Sequence, residues 1–351
     1  MKSICAVKGV SAAGIREGKF GLALIRASGT AAGVFTSNKV RAAPVEVMMD
    51  RIRRGRLDAV IVNSGCANAY TGERGIRDAE EMCEIAGASL GIDPAGIGVA
   101  STGVIGRYVN LPLIRDQCER IAPLLARNSD AEAAAARAIM TTDTFPKHAL
   151  IETGSFSVGG ITKGSGMIAP NMGTMLAFIY TDAEVEAPVL QDILRQATRR
   201  SFNRVVVDGD TSTNDVALCT ATGAAGKVDR DELAEAIEAV CRNLAIQIAR
   251  DGEGATKLLE VTVRGAADEG EAAAVARTVI ASPLVKTAVY GEDPNWGRVV
   301  AAAGRSGAEF DPYAVSLHVG GVPLVIRGEI VADLGAAKVA MHGDTVSFVL
   351  D

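Results

Sequence analysis

The stretch Lys163-Gly-Ser-Gly-Met-Ile-Ala-Pro-Asn-Met-Gly-Thr-Met-Leu-Ala-Phe-Ile-Tyr-Thr-Asp182 changes character at its middle. Its first half is glycine-rich and irregular, and its second, Thr174–Tyr180, is a mostly apolar run that reads as buried. Thr174 stands at the seam, directly after Gly173. Glycine tolerates positive φ and the close approach of other groups, so a hydroxyl on the next residue can be held against the Gly173 carbonyl. That is the geometry of an N→O acyl shift, which cuts the chain and frees the Thr174 α-amine. An unperturbed α-amine has a pKa of about 7.7–8.0 and can deprotonate its own hydroxyl near neutral pH. An N-terminal threonine is then nucleophile and base in one residue. Taken alone, Gly-Thr before an apolar run is an ordinary strand start or helix N-cap. The rest of the chain has to carry the reading.

The bulk composition narrows the field. The chain has 351 residues, a length that suits two domains or one large one. Apolar residues make up 48% and charged residues 22%, close to ordinary soluble protein. A net charge of −6 gives no support to a nucleic-acid partner, and the arginines of Arg51-Ile-Arg-Arg-Gly-Arg56 read as a solvated surface before a strand. The N-terminus lacks the apolar core of a signal peptide, and no apolar run approaches the ~20 residues that span a bilayer. The expectation is a soluble, cytoplasmic protein that binds neither membrane nor nucleic acid.

Cys5, Cys66, Cys83, Cys118, Cys219 and Cys241 include no Cys-x-x-Cys pair, so they read as reduced packing residues. Cys66, inside a glycine-containing turn, is the one to watch as a thiol nucleophile. His148, His318 and His342 are dispersed, and no ligand cluster has metal spacing. No metal and no cofactor are expected.

Along the chain, strands and helices interleave. Phe20–Ala27 reads as a strand, followed by a Gly-Thr turn and a second strand toward Thr36. Asp58–Asn63 is a short strand closed by Asn63-Ser-Gly, and Arg77–Ser89 is helical. A strand at Ile97–Ser101 delivers Thr102-Gly103 to its end. Leu111–Ala126 is a helix broken or kinked at Pro123, and Asp130–Met140 is another. Strands follow at Ser155–Lys163 and Arg204–Val207, with a helix at Pro188–Ser201 between them. Asp229–Arg250 is the clearest helix, with Leu233, Ile237, Val240, Leu244 and Ile248 on one stripe. The last hundred residues alternate strands (Leu258–Arg264, Ala314–Val319, Leu324–Ile326) with a helix at Gly270–Ala281. The class is α/β.

Two motifs have chemistry to weigh. Thr102-Gly103 opens a turn after a strand, where two donors can hold the oxyanion of a tetrahedral intermediate, and each such donor is typically worth about 10²–10³ in rate. Gly87-Ala-Ser-Leu-Gly91 matches the Gly-x-Ser-x-Gly nucleophile elbow in form, but a helix precedes it where the elbow needs a strand. The match reads as accidental. Lys163-Gly-Ser-Gly likewise lacks the full phosphate-loop pattern.

Lys163–Asp182 resembles the cleavage-site signature of the ornithine acetyltransferase (glutamate N-acetyltransferase) family, the bifunctional arginine biosynthesis proteins. The resemblance extends through Ala31-Ala-Gly-Val-Phe-Thr-Ser-Asn38, Val62-Asn-Ser-Gly-Cys-Ala-Asn-Ala69, Ala100-Ser-Thr-Gly-Val-Ile-Gly-Arg107 and Met140-Thr-Thr-Asp-Thr144. It continues in Val207-Asp-Gly-Asp-Thr-Ser-Thr-Asn-Asp215, Arg250-Asp-Gly-Glu-Gly-Ala-Thr256 and Asp293-Pro-Asn-Trp-Gly-Arg298. The resemblance implies two lobes of β-sheet layered with helices, the nucleophile lying between the lobes. It implies self-cleavage between Gly173 and Thr174, giving an alpha chain of residues 1–173 and a beta chain of residues 174–351 that stay associated as a heterotetramer of two alpha and two beta chains. Thr174 becomes the catalytic nucleophile, with Thr102 and Gly103 as the oxyanion hole. Thr141, Lys163, Thr174 and Glu253 match positions that contact substrate, and Thr142 stands beside Thr141 as the alternative. An amino-acid substrate carries a carboxylate and an ammonium, which call for a cation and an anion respectively.

The implied activity is transfer of acetyl from N2-acetyl-L-ornithine to L-glutamate through a Thr174 acyl-enzyme, with acetyl-CoA open as a second donor. Two features depart from the family pattern. Gly173 stands where many relatives have alanine. The end, Gly343-Asp-Thr-Val-Ser-Phe-Val-Leu-Asp351, lacks the Asn-Ala-x-Tyr-x-Thr-type tail, so no substrate contact is assigned there. That departure motivates an alternative, an N-terminal-nucleophile hydrolase or aminopeptidase that loses its acyl group to water. A non-catalytic amino-acid-binding member is the third reading.

Overall fold

The computed structural model describes residues 2–169 and 175–351. Gly173 and Thr174 lie outside the described residues, and with them the expected cleavage bond and the expected place of the nucleophile between lobes. The chain folds into two compact units, one of residues 1–205 and 210–253 and the other of residues 206–209 and 254–351. The α/β expectation holds, with two sheets layered by helices.

The first unit is built on strands β1 (Ser11–Glu17), β2 (Phe20–Phe35), β3 (Arg56–Cys66), β4 (Ile97–Val104), β5 (Lys147–Glu152), β6 (Ser157–Lys163), β7 (Leu176–Glu184) and β8 (Val216–Lys227). Its helices are α1 (Ala43–Ile52), α2 (Gly72–Leu90), α3 (Leu111–Ile121), α4 (Ser129–Ala138), α5 (Ala187–Arg200) and α6 (Arg230–Arg250). The sheet runs β4-β3-β2-β8-β7-β6-β5, with β1 paired to β2. Every residue of β7 but the last is buried, the pattern of a strand covered on both faces. Phe178 and Tyr180 join the core with Ala135 and Ala138 of α4, and period-two alternation sends Ala177 and Ile179 to the other face.

The position of β7 matters for the expected cleavage. It pairs antiparallel with β6, on the near side of the Gly173–Thr174 bond, and parallel with β8 on the far side. β8 in turn pairs with β2. Residues before and after that bond are thus interleaved in one hydrogen-bonded sheet.

Several boundaries differ from the sequence expectation. The two strands expected around a Gly-Thr turn are one strand, β2, whose halves serve different partners. Gly21–Arg26 and, past a register shift, Gly29 and Thr30 pair with β3, while Thr30–Phe35 pairs with β8. The expected turn is a register shift, and a Cβ on Gly29 would come within 2.0 Å of the Ala221 carbonyl oxygen. Glycine there admits a neighbouring backbone rather than reversing the chain. Asn63-Ser-Gly is likewise no end: β3 continues to Cys66 and shifts register against β4 at Gly65/Cys66. Val205–Val207, expected to continue a strand from Arg204, follows a short 3₁₀ turn and joins no ladder. Its β-branched residues have the propensity but no neighbouring strand to use it.

Helices were more legible. α6 carries its buried stripe as expected, and the Asp229 carboxylate caps it by accepting from the Asp231 and Glu232 amides. α3 stops at Ile121, with Pro123 in the 3₁₀ turn beyond it. Gly87–Gly91 lies at the C-terminal end of α2, with no strand before it, so it is no nucleophile elbow. Arg51 pairs with Glu80, and Arg56 with Asp58, so the basic cluster is partly spent on its own fold.

The second unit has strands β9 (Leu258–Val263), β10 (Leu317–Val319), β11 (Val322–Ile326), β12 (Glu329–Ile330) and β13 (Thr345–Leu350) in the order β12-β11-β10-β13-β9. Helices α7 (Glu269–Ile280), α8 (Pro283–Tyr290), α9 (Trp296–Gly304) and α10 (Leu334–Ala340) cover it, around a core that includes Val279, Val285, Leu317, Leu324, Met341 and Phe348. Among the described residues no single helix is long and apolar enough to cross a membrane.

Candidate active site

The strand expected over Ile97–Ser101 runs on to Val104, so Thr102 and Gly103 lie inside β4 and pair with Ser64 and Gly65 of β3 instead of opening a turn. Thr102 is buried, and Gly103 has φ +130, outside the range an L side chain adopts readily. A Cβ on Gly103 would stand 2.4 Å from the Gly65 carbonyl carbon and 2.6 Å from the Cys66 nitrogen. This position in β4 therefore requires glycine twice over, for its conformation and for its contact with β3. Beside it lies a cavity of about 130 Å³ lined by Asn63, Cys66, Arg107, Tyr108 and Gln117 among others.

Cys66 is not a reactive thiol. It is buried, its Sγ donates to the Arg107 carbonyl at 3.2 Å, and burial pushes its pKa up. The other five cysteines are buried and unpaired as well.

The second part of the site gathers at the end of β6. Lys163 is buried, with its ammonium 4.0 Å from Asp143. Burial lowers its pKa, and the Asp143 carboxylate opposes that shift. Asp143 is the organiser here. It accepts from the Gly164 amide at 2.7 Å, the Thr141 amide at 3.0 Å and the Lys147 ammonium at 2.7 Å. Lys147, fully buried, also bonds Asp251, which accepts from the Thr144 amide. The Asp251 carbonyl accepts from Ser165 Oγ, and the Ser165 carbonyl accepts from the Glu253 amide at 2.9 Å. Glu253 is exposed, and its carboxylate lies so close over Gly166 that a Cβ there would meet Oε1 at 2.4 Å. Three of the residues matched to substrate contacts, Thr141, Lys163 and Glu253, thus sit on one network of hydrogen bonds and ion pairs. Thr141 is half-buried and Thr142 exposed, and the Thr141 amide is the one held by Asp143.

Sequence reasoning missed the residues that hold this network. Asp143 and Asp251 lie within the matched segments Met140–Thr144 and Arg250–Thr256 but were given no role there, Lys147 lies in no motif, and their shared burial is what marks the three as a charge cluster. Burial works to raise the Asp143 pKa, but Lys163 and Lys147 overcome it and hold the carboxyl below its ordinary value. Its contribution to stability is therefore present above the ordinary carboxylate range and is lost as pH falls through the depressed value. Removing the shared cation should be costly. Lys147→Met is expected to lower the free energy of unfolding by about 3–5 kcal/mol in urea titrations, because it leaves buried carboxylates unpaired. A loss below about 1 kcal/mol would show that the cluster is better solvated than its burial indicates.

Comparison with known proteins places the chain. A family model described as the ArgJ family matches residues 7–351. The chain belongs to the ArgJ family. The chain is 50% identical over 360 residues to a glutamate N-acetyltransferase of Methanosarcina mazei, covering 99% of this chain and 91% of that protein. It is 51% identical to the arginine biosynthesis bifunctional protein ArgJ of Symbiobacterium thermophilum, covering 95% of this chain and 86% of that one. A solved structure of ornithine acetyltransferase complexed with ornithine, from Mycobacterium tuberculosis, is 36% identical with a TM-score of 0.47, covering 48% of this chain and 95% of that chain. As an ArgJ-family member the chain is an acyltransferase of arginine biosynthesis.

Proposed function

We propose that the Thr174 hydroxyl attacks the Gly173 carbonyl, displacing the Thr174 amine and leaving an ester that water hydrolyses to a Gly173 carboxylate, and that the freed Thr174 then carries acetyl from N2-acetyl-L-ornithine to L-glutamate. The observation that carries this reading is the family match over nearly the whole chain, with relatives at about half identity named glutamate N-acetyltransferase. The geometry supports it. Thr102 and Gly103, near the end of β4, are the donors we assign to the oxyanion, and Lys163 is the buried cation we assign to a substrate carboxylate. Glu253, exposed on the same network as Lys163, offers an anion to a substrate ammonium. Thr174 attacks the acetyl carbonyl, ornithine departs with the proton taken from the hydroxyl, and glutamate's amine then attacks the ester. The threonine itself holds the acyl group, so the reaction needs no cofactor.

The proposal includes two chains of 173 and 178 residues that remain joined, because strands from both lie in one sheet. It also includes assembly of two alpha and two beta chains in the cytoplasm, which native mass spectrometry would check.

Initial-velocity kinetics tests the transfer. Varying acetylornithine at fixed glutamate levels should give parallel double-reciprocal lines, as one site serving two amino acids through an acyl-enzyme demands. Intersecting lines would exclude that intermediate. Acetate released without glutamate would instead identify a hydrolase, and acetyl-CoA tried in the donor's place shows whether it serves as a second source.

A further inference from the structure

The expected reaction has two centres, the oxyanion pair Thr102–Gly103 and the nucleophile before Met175, and one dipeptide holds the backbone of Ser101, beside the first, and of Met175, beside the second. The Asn214 side-chain amide donates to the Ser101 carbonyl at 2.8 Å and to the Ala67 carbonyl at 2.7 Å, the points where β4 and β3 approach their loops. Its own oxygen accepts from Thr213 Oγ1 at 2.6 Å, which fixes the amide's orientation. The next residue, Asp215, accepts the Met175 amide on Oδ1 at 2.9 Å. The following amide, Val216 N–H, donates to the Met175 carbonyl at 3.2 Å, so both backbone groups of Met175 are held. The Asp215 carbonyl meanwhile accepts from Thr36 N–H, just past the end of β2.

We propose that Asn214 and Asp215 are positioning residues that set the spacing between the end of β4, which carries Thr102 and Gly103, and the Met175 amide that follows the nucleophile. The inference rests on the Thr174 reading above. A peptide unit is planar, so whatever holds the Met175 N–H also holds the plane that joins Met175 to Thr174. Asn214 and Asp215 are consecutive, so their Cα atoms stand about 3.8 Å apart, a spacing no rotamer alters. Both side chains are buried, at 4% and 0% exposure, which leaves them no room to exchange partners with solvent. Met175 precedes β7, and the Asp215 carboxyl extends the β7–β8 ladder by one rung toward the expected cleavage point. Burial pushes the Asp215 carboxyl well above its ordinary pKa, favouring a neutral acid that can accept an amide without a counter-charge.

Asp215→Ala and Asn214→Ala are each expected to lower kcat about 10²-fold, the scale of a misplacement near 1 Å, with KM for both amino acids changed by less than about threefold. Asp215→Asn keeps an acceptor oxygen in place and should recover kcat to within about tenfold of wild type. Unchanged kcat in either alanine variant overturns the proposal, as does a loss confined to KM or an Asp215→Asn protein as slow as Asp215→Ala. If the alanine variants do not fold, hydrogen exchange on the wild type decides. A Met175 amide protected like those of β7 supports the clamp, and exchange at the rate of a free amide overturns it. An uncut or inactive wild type would defeat the Thr174 reading itself, whereas a processed, active wild type beside equally fast variants defeats only this one.

Discussion

Thr174→Ala is expected to yield a single chain of full length where the wild type yields two, and to abolish acetyl transfer. Intact-mass spectrometry of the two purified proteins checks the first half. The wild type should give fragments of 173 and 178 residues meeting at Gly173/Thr174. The physical reason is that one hydroxyl serves twice, first attacking the preceding carbonyl and later the acetyl group. Alanine supplies no nucleophile for either step, so kcat should fall by about 10⁴ or more, the scale seen when a nucleophile is removed. A full-length mass for the wild type would mean that the amine is never freed, and the acyl-enzyme mechanism would fall with it. An alanine variant cut at the same bond would assign the cleavage to another group.

Gly103→Ala is the second large effect. The added Cβ has nowhere to go, since it would stand 2.4 Å and 2.6 Å from backbone atoms of Gly65 and Cys66 at a φ of +130. Backbone cannot step aside as a flexible side chain could, so the end of β4 itself must shift. Donors aimed at an oxyanion lose their value when their direction changes, and kcat is expected to drop about 10²–10³-fold. Strain of this kind typically costs about 1–3 kcal/mol, so urea unfolding should show a modest loss while activity shows a large one. A variant with wild-type kcat would remove Thr102–Gly103 from the mechanism.

These expectations arose at different levels. The glycine-rich approach to Thr174, the Thr102-Gly103 pair and Lys163 are bland taken one at a time, and their roles were legible only because the motifs match one family in order along the chain. Helices α3 and α6 were legible by themselves, since apolar stripes, caps and proline breaks act within a few turns of chain. Strands fared worse. β8, Val216–Lys227, has too little alternation and too many small residues to declare itself, and it lies in the middle of the sheet. Its place is set by β2 and β7, each far off in sequence.

By itself, then, the sequence determined the family, the α/β class and the residue types that the chemistry requires, because those depend on local order along the chain. Only the tertiary structure decided how they are held. It put Lys147 between two carboxylates, made Asp143 the common anchor of Thr141 and Gly164, and set Asn214 and Asp215 across the ends of four strands. Those contacts join residues up to 147 positions apart, and no spacing rule reaches so far. Burial makes them matter, because a charge or amide removed from water must find its partner within the fold.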